Sequence, residues 1–294
     1  MRSKFPNRWL PLVILIPTLL VCALFLYYPV AQSFSWSLYR AAFMGLKRLY
    51  VGTQNYLRLF TSPDYVHTIG VSFLFATGVV VVGLSISLAI ALLANQKVRG
   101  ARIYRVSLIW PYALSPAVAG TIWLFLLNPT SGVVNYFFES LFGVKPDWLT
   151  NANLALISVV VAAVWKNLGY NIVFFLAGLQ NVPGEILEAA RVDGAGAWRT
   201  FWRITFPLLS PTTFFLFIMN IIYAFFGVFG LIDVMTKGGP VNATNILIYN
   251  LYRDAFQHNK WGMASAQSVI LFVFVVILTL IQFRTTGRRV HYGG

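Results

Sequence analysis

Residues 65–96 read YVHTIGVSFLFATGVVVVGLSISLAIALLANQ, a run without a single Asp, Glu, Lys or Arg. A helix needs roughly 20 apolar residues to cross the hydrocarbon core of a bilayer, and this run is longer than that. Uncharged blocks recur on both sides of it, from Trp9 to Tyr39, Val106 to Phe138, Asn167 to Val182, Phe206 to Ile232 and Gly262 to Phe283. The pattern predicts an all-α integral membrane protein with six transmembrane helices, at about Leu10–Leu38, Thr68–Ala94, Tyr104–Leu127, Leu154–Leu179, Leu208–Ile232 and Ala264–Phe283. Gly78, Gly83, Pro116, Gly120 and Gly169 fall inside these spans, where bundles tolerate them as close contacts or local kinks.

The composition agrees with burial in lipid. Of 294 residues, 58% are hydrophobic and 10% charged, against roughly 45–50% and 25% in ordinary soluble domains. The formal charge of +14 comes from Lys and Arg scattered between apolar blocks, so it reads as a membrane-orientation signal and no nucleic-acid partner is expected. Cys22 is the lone cysteine, which rules out an internal disulfide. The first block is too long for a signal-peptide core and lacks a small-x-small cleavage site before Tyr27, so it is expected to stay as the first span.

Placing the N terminus in the cytosol puts Arg2, Lys4, Arg8, Lys97, Arg99, Arg102, Arg105, Arg191, Arg199, Arg203, Arg284, Arg288 and Arg289 inside. Arg40, Lys47, Arg48, Arg58, Lys145, Lys237, Arg253 and Lys260 then lie outside. The balance of 13 to 8 favours cytosolic N and C termini by the positive-inside rule. Two outer connectors carry apolar periodicity. Thr130–Asn153 has Val133, Val134, Phe137, Phe138, Leu141 and Phe142 at the spacing of an interfacial helix, and Thr236–Trp261 contains the apolar stretch Ile246–Phe256. Each reads either as a lid on the bundle or as a docking surface for an external partner.

The inner loop between spans four and five, NVPGEILEAARVDGAGAWRTFWRITFP (181–207), is the most informative. Pro183 suits a helix start, and Glu185 and Glu188 fall in early turns where carboxylates favour the positive end of the dipole. Ala189, Ala190, Gly194, Ala195 and Gly196 leave little bulk, so another protein can approach the backbone. Trp198–Phe206 is aromatic and basic, as an amphipathic helix at the inner membrane surface requires.

Glu188-Ala189-Ala190, three residues, Gly194, nine residues, Ile204 and then Pro207 resemble the cytosolic signature of permease subunits in binding-protein-dependent ABC importers. Phe206 replaces the leucine usual before the proline. The segments at 105–129, 162–183, 206–230, 237–244 and 281–292 extend the resemblance over nearly the whole chain, to carbohydrate-import permeases and, among them, those of sn-glycerol-3-phosphate importers.

The resemblance implies a single transmembrane permease domain, 1–294, with 181–207 as its coupling loop. This chain would form half of a pathway in a bacterial inner membrane, together with a second homologous permease, two ATPase subunits and an external solute-binding protein. Glu188, Ala189, Ala190, Arg191, Asp193 and Gly194 would form the helix that enters a groove on an ATPase, with Glu188 anchoring and orienting it. ATP and Mg would sit on the partner ATPases. The implied cargo is sn-glycerol 3-phosphate, with glycerophosphodiesters as further candidates and a neutral sugar or oligosaccharide as the alternative.

The chain itself is expected to be non-catalytic, with no cofactor and no metal. It has no Gly-Lys-Ser/Thr phosphate cradle, and His67, His258 and His291 are far apart. An ion channel would need a coordinating filter or rings of charge, and a secondary transporter would leave the coupling signature without a purpose. Lys166 lies about midway along span four, roughly 18 Å from either end, too deep to snorkel fully. It is expected to face the bundle interior near Asn167, Tyr170 and Asn171. These four, with Asn128 and Asn220, are candidates for lining the path of a small polar solute. The competing reading is that they are polar contacts fixing helix packing.

Overall fold

A computed structural model describes residues 10–42, 47–96 and 101–286. The orientation residues Arg2, Lys4, Arg8, Lys97, Arg99, Arg288 and Arg289, and His291, lie outside the described residues. The chain divides into two units. One holds residues up to Tyr65 with Leu251–Phe272, and the other holds Val66–Asn250 with the residues from Val273 onward.

In the first unit, α1 (Leu10–Cys22) passes through a π-helical turn, Ala23–Tyr27, into α2 (Tyr28–Ser37). Together they give the span Val13–Ser37, and its apolar side chains Val13–Ile16 and Leu24–Tyr28 are exposed, as those of a lipid-facing helix would be. An antiparallel hairpin follows, β1 (Tyr39–Ala42) with β2 (Lys47–Tyr50), pairing Tyr39 with Tyr50. The hairpin interrupts an otherwise helical chain. Next comes α3 (Gln54–Thr61). Asn55 is buried there, and its Nδ2 donates to the Ser37 carbonyl at 2.7 Å and to the Tyr39 carbonyl at 2.9 Å. This satisfies carbonyls freed at the end of α2, where an unpaired group would be costly. In the returning part of the unit, Gln267 Nε2 donates to Asp254 Oδ2 at 2.6 Å.

The long helix α4 (Pro63–Ala94) leads on to α5 (Ala101–Ala113) and α6 (Pro116–Leu126). These last two occupy the stretch expected as one span, Tyr104–Leu127, but they meet at 108°. The sequence foresaw a local kink at Pro116, and the structure makes it a sharp bend of the kind found in a broken span or a re-entrant loop. Proline disfavours helical geometry in the residue before it, and Ser115 is extended at φ −65°, ψ 152°. Its Oγ accepts from Val118 N at 3.3 Å, so Ser115 and Pro116 begin a new helix.

Then come α7 (Val133–Phe142) and α8 (Ala152–Gln180), followed by α9 (Gly184–Val192) and α10 (Ala197–Thr200). Beyond a π-helical turn at Phe201–Thr205 lie α11 (Phe206–Leu208) and α12 (Ser210–Ile222). The predicted fifth span is shorter than expected: the helix continues through a π-helical turn, Tyr223–Gly227, as one span Ser210–Gly227, and breaks at Val228 before α13 (Phe229–Met235). The chain closes with α14 (Leu247–Tyr252) and α15 (Trp261–Thr286). Among the described residues five helices are long and apolar enough to span a membrane, and six if the bent pair counts as one span.

The second unit is organised around α8. Its buried Ile172, Phe175, Leu176 and Leu179 pack with Ala91, Leu209 and Leu216. Helix α5 lies against α8, and α6 against α13. The approach of α5 is close because Gly169 has no side chain: a Cβ there would stand 2.7 Å from Ile109 Cα and 2.9 Å from the Leu108 carbonyl oxygen. Between helices in lipid, where hydrophobic exclusion gives no drive, such backbone proximity is a main source of packing energy.

Candidate functional site: an exposed helix and a polar seam

The loop at 181–207 folds into a short helix with defined ends. Pro183 is extended at its start (φ −61°, ψ 126°). At its end Gly194 takes φ +73°, while Ala195 N donates to the Ala190 carbonyl at 2.9 Å and Gly194 N to the Arg191 carbonyl at 3.1 Å. These two bonds form a Schellman closure, which requires a left-handed residue at the position of Gly194. A Cβ on Gly194 would meet no atom within 4 Å, so the glycine is needed here for its backbone angle and not for room within this chain.

Of the six residues singled out in this loop, Ala190 is buried, whereas Glu188, Ala189, Arg191, Asp193 and Gly194 are exposed. Val192 is 86% exposed beside them. Exposed carboxylate, guanidinium and apolar groups on one stiff turn make a surface that another protein can read. The following residues Trp198, Phe201, Trp202 and Phe206 form a chain of ring contacts with centroids 5.0–5.9 Å apart. Trp198 and Trp202 remain exposed there on a segment that also carries Arg199 and Arg203. This is the aromatic and basic character expected of an interfacial segment.

The intramembrane candidates separate into three groups. Asn167, Asn171 and Asn220 come together as one hydrogen-bonded set joining α8 to α12. Asn220 Oδ1 accepts from Asn167 Nδ2 at 2.9 Å and from Asn171 Nδ2 at 3.1 Å, and Asn220 Nδ2 donates to Asn171 Oδ1 at 2.7 Å and to the Leu216 carbonyl at 2.8 Å. All three are buried. A Cβ on Gly83 would lie 3.9 Å from both the Asn171 and Asn220 amides, so α4 covers the set. Asn128 lies elsewhere: its Oδ1 accepts from Thr130 N at 3.0 Å and Ser131 N at 3.1 Å, shaping the connector that starts α7.

Lys166 and Tyr170 form the third group, with a residue the sequence did not single out. Lys166 is buried, and its Nζ lies 5.5 Å from the centroid of the Tyr112 ring. Tyr112 packs on Tyr170 with centroids 5.3 Å apart, and Tyr170 on Phe174 at 4.8 Å. Next to Lys166, Trp165 touches Trp110 of α5 and Trp123 of α6, both at 5.9 Å. The lysine therefore sits where α8 crosses the elbow between α5 and α6. Pro111 and Pro116 on either side of Tyr112 were the only cue in the sequence to its position. Among the described residues no three His, Cys, Asp or Glu side chains group as metal ligands would.

The helical span set, the sharp bend between α5 and α6 and the exposed helix before the penultimate span are the features of a membrane transport subunit. A family described as the binding-protein-dependent transport system inner membrane component matches residues 82–290, and the chain belongs to that family. It is a multi-pass membrane protein and a non-catalytic permease subunit of an ABC importer. It is 43% identical over 291 residues to the sn-glycerol-3-phosphate transport system permease protein UgpA of Brucella abortus, with 99% of each chain covered. Against the same-named permease of Escherichia coli O157:H7 the identity is 40%, covering 99% of this chain and 98% of the other. Its fold matches a chain in the crystal structure of a bacterial ABC transporter that imports the acidic polysaccharide alginate, with TM-score 0.82, 21% identity and coverage of 95% and 96%. It also matches the complex of an alginate transporter with an alginate pentasaccharide-bound periplasmic protein, with TM-score 0.83 and coverage of 97% and 96%.

Proposed function

We propose that this chain is one of two permeases in an ATP-driven importer of sn-glycerol 3-phosphate, with glycerophosphodiesters as further cargo. The observation that carries this reading is the 40–43% identity to glycerol-3-phosphate permeases across almost the whole chain. A second homologous permease completes the pathway, two ATPase subunits bind ATP and Mg on the inner face, and an external solute-binding protein delivers cargo. Both termini are cytosolic. Residues 1–294 act as one permease domain, and 181–207 is its coupling loop.

In this reading α9 enters a groove on one ATPase subunit. Glu188 anchors and orients the helix, Ala189 and Gly194 keep the contact close, the buried Ala190 seats the helix on its own chain, and Arg191 and Asp193 form its polar rim. Closure of the ATPase pair on ATP moves α9 as a rigid piece, because the helix is stopped at both ends, and the motion passes through α8 and α12 to switch the pathway between inward and outward access. The asparagine set provides a satisfied polar joint between those two helices. Interhelical amide bonds in membranes are worth about 0.6–1.7 kcal/mol each, enough to hold a register without freezing it.

Uptake by a host that lacks its own glycerol-3-phosphate importer, and that expresses this chain with its second permease, ATPase and binding protein, tests the reading. Accumulation of labelled glycerol 3-phosphate is the expected result. Accumulation of a neutral sugar alone would replace the cargo while keeping the importer mechanism.

A further inference from the structure

A lysine at the centre of a membrane span needs compensation. Lys166 is fourteen positions from both Ala152 and Gln180, the ends of α8, hence about 21 Å of helix from either end. An extended lysine side chain covers only part of that distance, so the bulk of both aqueous phases and the lipid headgroups are out of reach. Among the described residues Nζ has no carboxylate partner and no hydrogen-bond acceptor, and it faces the Tyr112 ring. A cation facing an aromatic ring recovers part of its lost hydration and not all of it. The charge is left under-compensated in the chain by itself.

The surroundings are suited to a visiting anion. Tyr112, whose ring Nζ faces at 5.5 Å, is itself 44% exposed in the chain alone. The Tyr112 and Tyr170 rings lie against one another, and neither hydroxyl has a hydrogen-bond partner among the described residues. A phenol and an ammonium are both donors, the complement of an acceptor-only group. The α5–α6 break beside them is the kind of interruption with which membrane transporters build midplane solute sites. The asparagine set, by contrast, is closed on itself and buried under α4, with its Asn220 amide fully engaged.

We infer that Lys166, with the Tyr112 and Tyr170 phenols, receives the phosphate group of the cargo as it passes the midplane, and that this site favours a phosphomonoester over a phosphodiester. The inference rests on the reading that the cargo is glycerol 3-phosphate. A monoester carries about −1.5 to −2 charge at neutral pH, and a diester carries one negative charge. The monoester therefore gains more from a fixed ammonium in a medium of low dielectric.

The test is ATP-driven uptake by proteoliposomes holding the complete importer, with saturating cargo-loaded binding protein. Wild type, Lys166→Met, Lys166→Arg and Tyr112→Phe are compared on glycerol 3-phosphate and on a glycerophosphodiester. ATPase activity and thermal stability are read in parallel. Lys166→Met is expected to lower maximal glycerol 3-phosphate uptake by about tenfold or more, the scale of a lost charge-assisted bond, and diester uptake by clearly less. Lys166→Arg should restore most of it, Tyr112→Phe should give a smaller loss, and stability should be held. Unchanged uptake in Lys166→Met would overturn the inference. So would equal losses for both cargoes, or equal losses in the Met and Arg variants, since either marks a packing role. A wild-type complex that carries neither phosphate compound but imports a sugar would instead refute the cargo reading beneath it.

Discussion

Asn171 and Asn220 exchange amide hydrogen bonds in both directions, at 2.7 Å and 3.1 Å, across 49 positions of sequence. Each side chain has both a donor and an acceptor, and the pair uses them reciprocally, so α8 and α12 are locked in one register with no polar atom of the pair wasted. Asn220→Leu keeps the number and branching of the side-chain heavy atoms and removes the bonds. It leaves the amides of Asn167 and Asn171 without their acceptor in a buried setting, which costs about 1–3 kcal/mol. The thermal midpoint in detergent should fall accordingly. In a double-mutant cycle with Asn171→Ala, the two changes should be non-additive by about 0.5 kcal/mol or more.

Gly169 gives a prediction of packing alone. Its added Cβ would press on the backbone of Ile109, which cannot swing away as a side-chain tip can. Gly169→Ala should force α5 from α8 and lower stability by about 1–3 kcal/mol. Tyr112 and Trp110 lie on α5, so transport should fall along with the melting temperature.

Glu188 gives the opposite signature. It is exposed, and the described residues offer it no ion pair, so Glu188→Ala should leave the melting temperature of the isolated chain unchanged. Co-purification of the ATPase and cargo uptake should both fall, uptake by about tenfold or more if a charge-assisted contact is lost. A variant that is destabilised but still binds the ATPase would assign Glu188 to the fold of its own chain.

At Gly194 backbone strain is the controlling factor. Alanine there must hold φ near +73°, a conformation that disfavours a Cβ by about 1 kcal/mol or somewhat more. Gly194→Ala should fray the end of α9 and reduce coupled transport, and Gly194→Asn should do less harm because asparagine tolerates left-handed geometry. ATPase stimulation by loaded binding protein, measured for the three chains in otherwise identical complexes, orders them.

The spans and the start of α9 were legible in the sequence because each rests on local signals: uncharged runs longer than a bilayer for the spans, and Pro183 for the start of α9. Its end was not: Gly194 read as a small residue on the helix, whereas the helix stops at Val192 and Gly194 closes it at φ +73°. The elbow between α5 and α6 was not. An apolar run reads the same whether straight or folded back, and Pro116 announces a break without its angle. The hairpin at Tyr39–Tyr50 escaped notice because YRAA and KRLY do not alternate apolar with polar residues. Asn167, Asn171 and Asn220 were recognisable singly, but their mutual bonding depends on how α8 meets α12. Tyr112 emerged as the neighbour of Lys166 for the same reason.

The most direct measurement is uptake by proteoliposomes containing this chain, its second permease, the ATPase subunits and the external binding protein, supplied with labelled glycerol 3-phosphate and with neutral sugars. The account predicts that glycerol 3-phosphate accumulates only with ATP and that accumulation stops when the ATPase is replaced by a hydrolysis-dead form. Accumulation that persists without hydrolysis would contradict it.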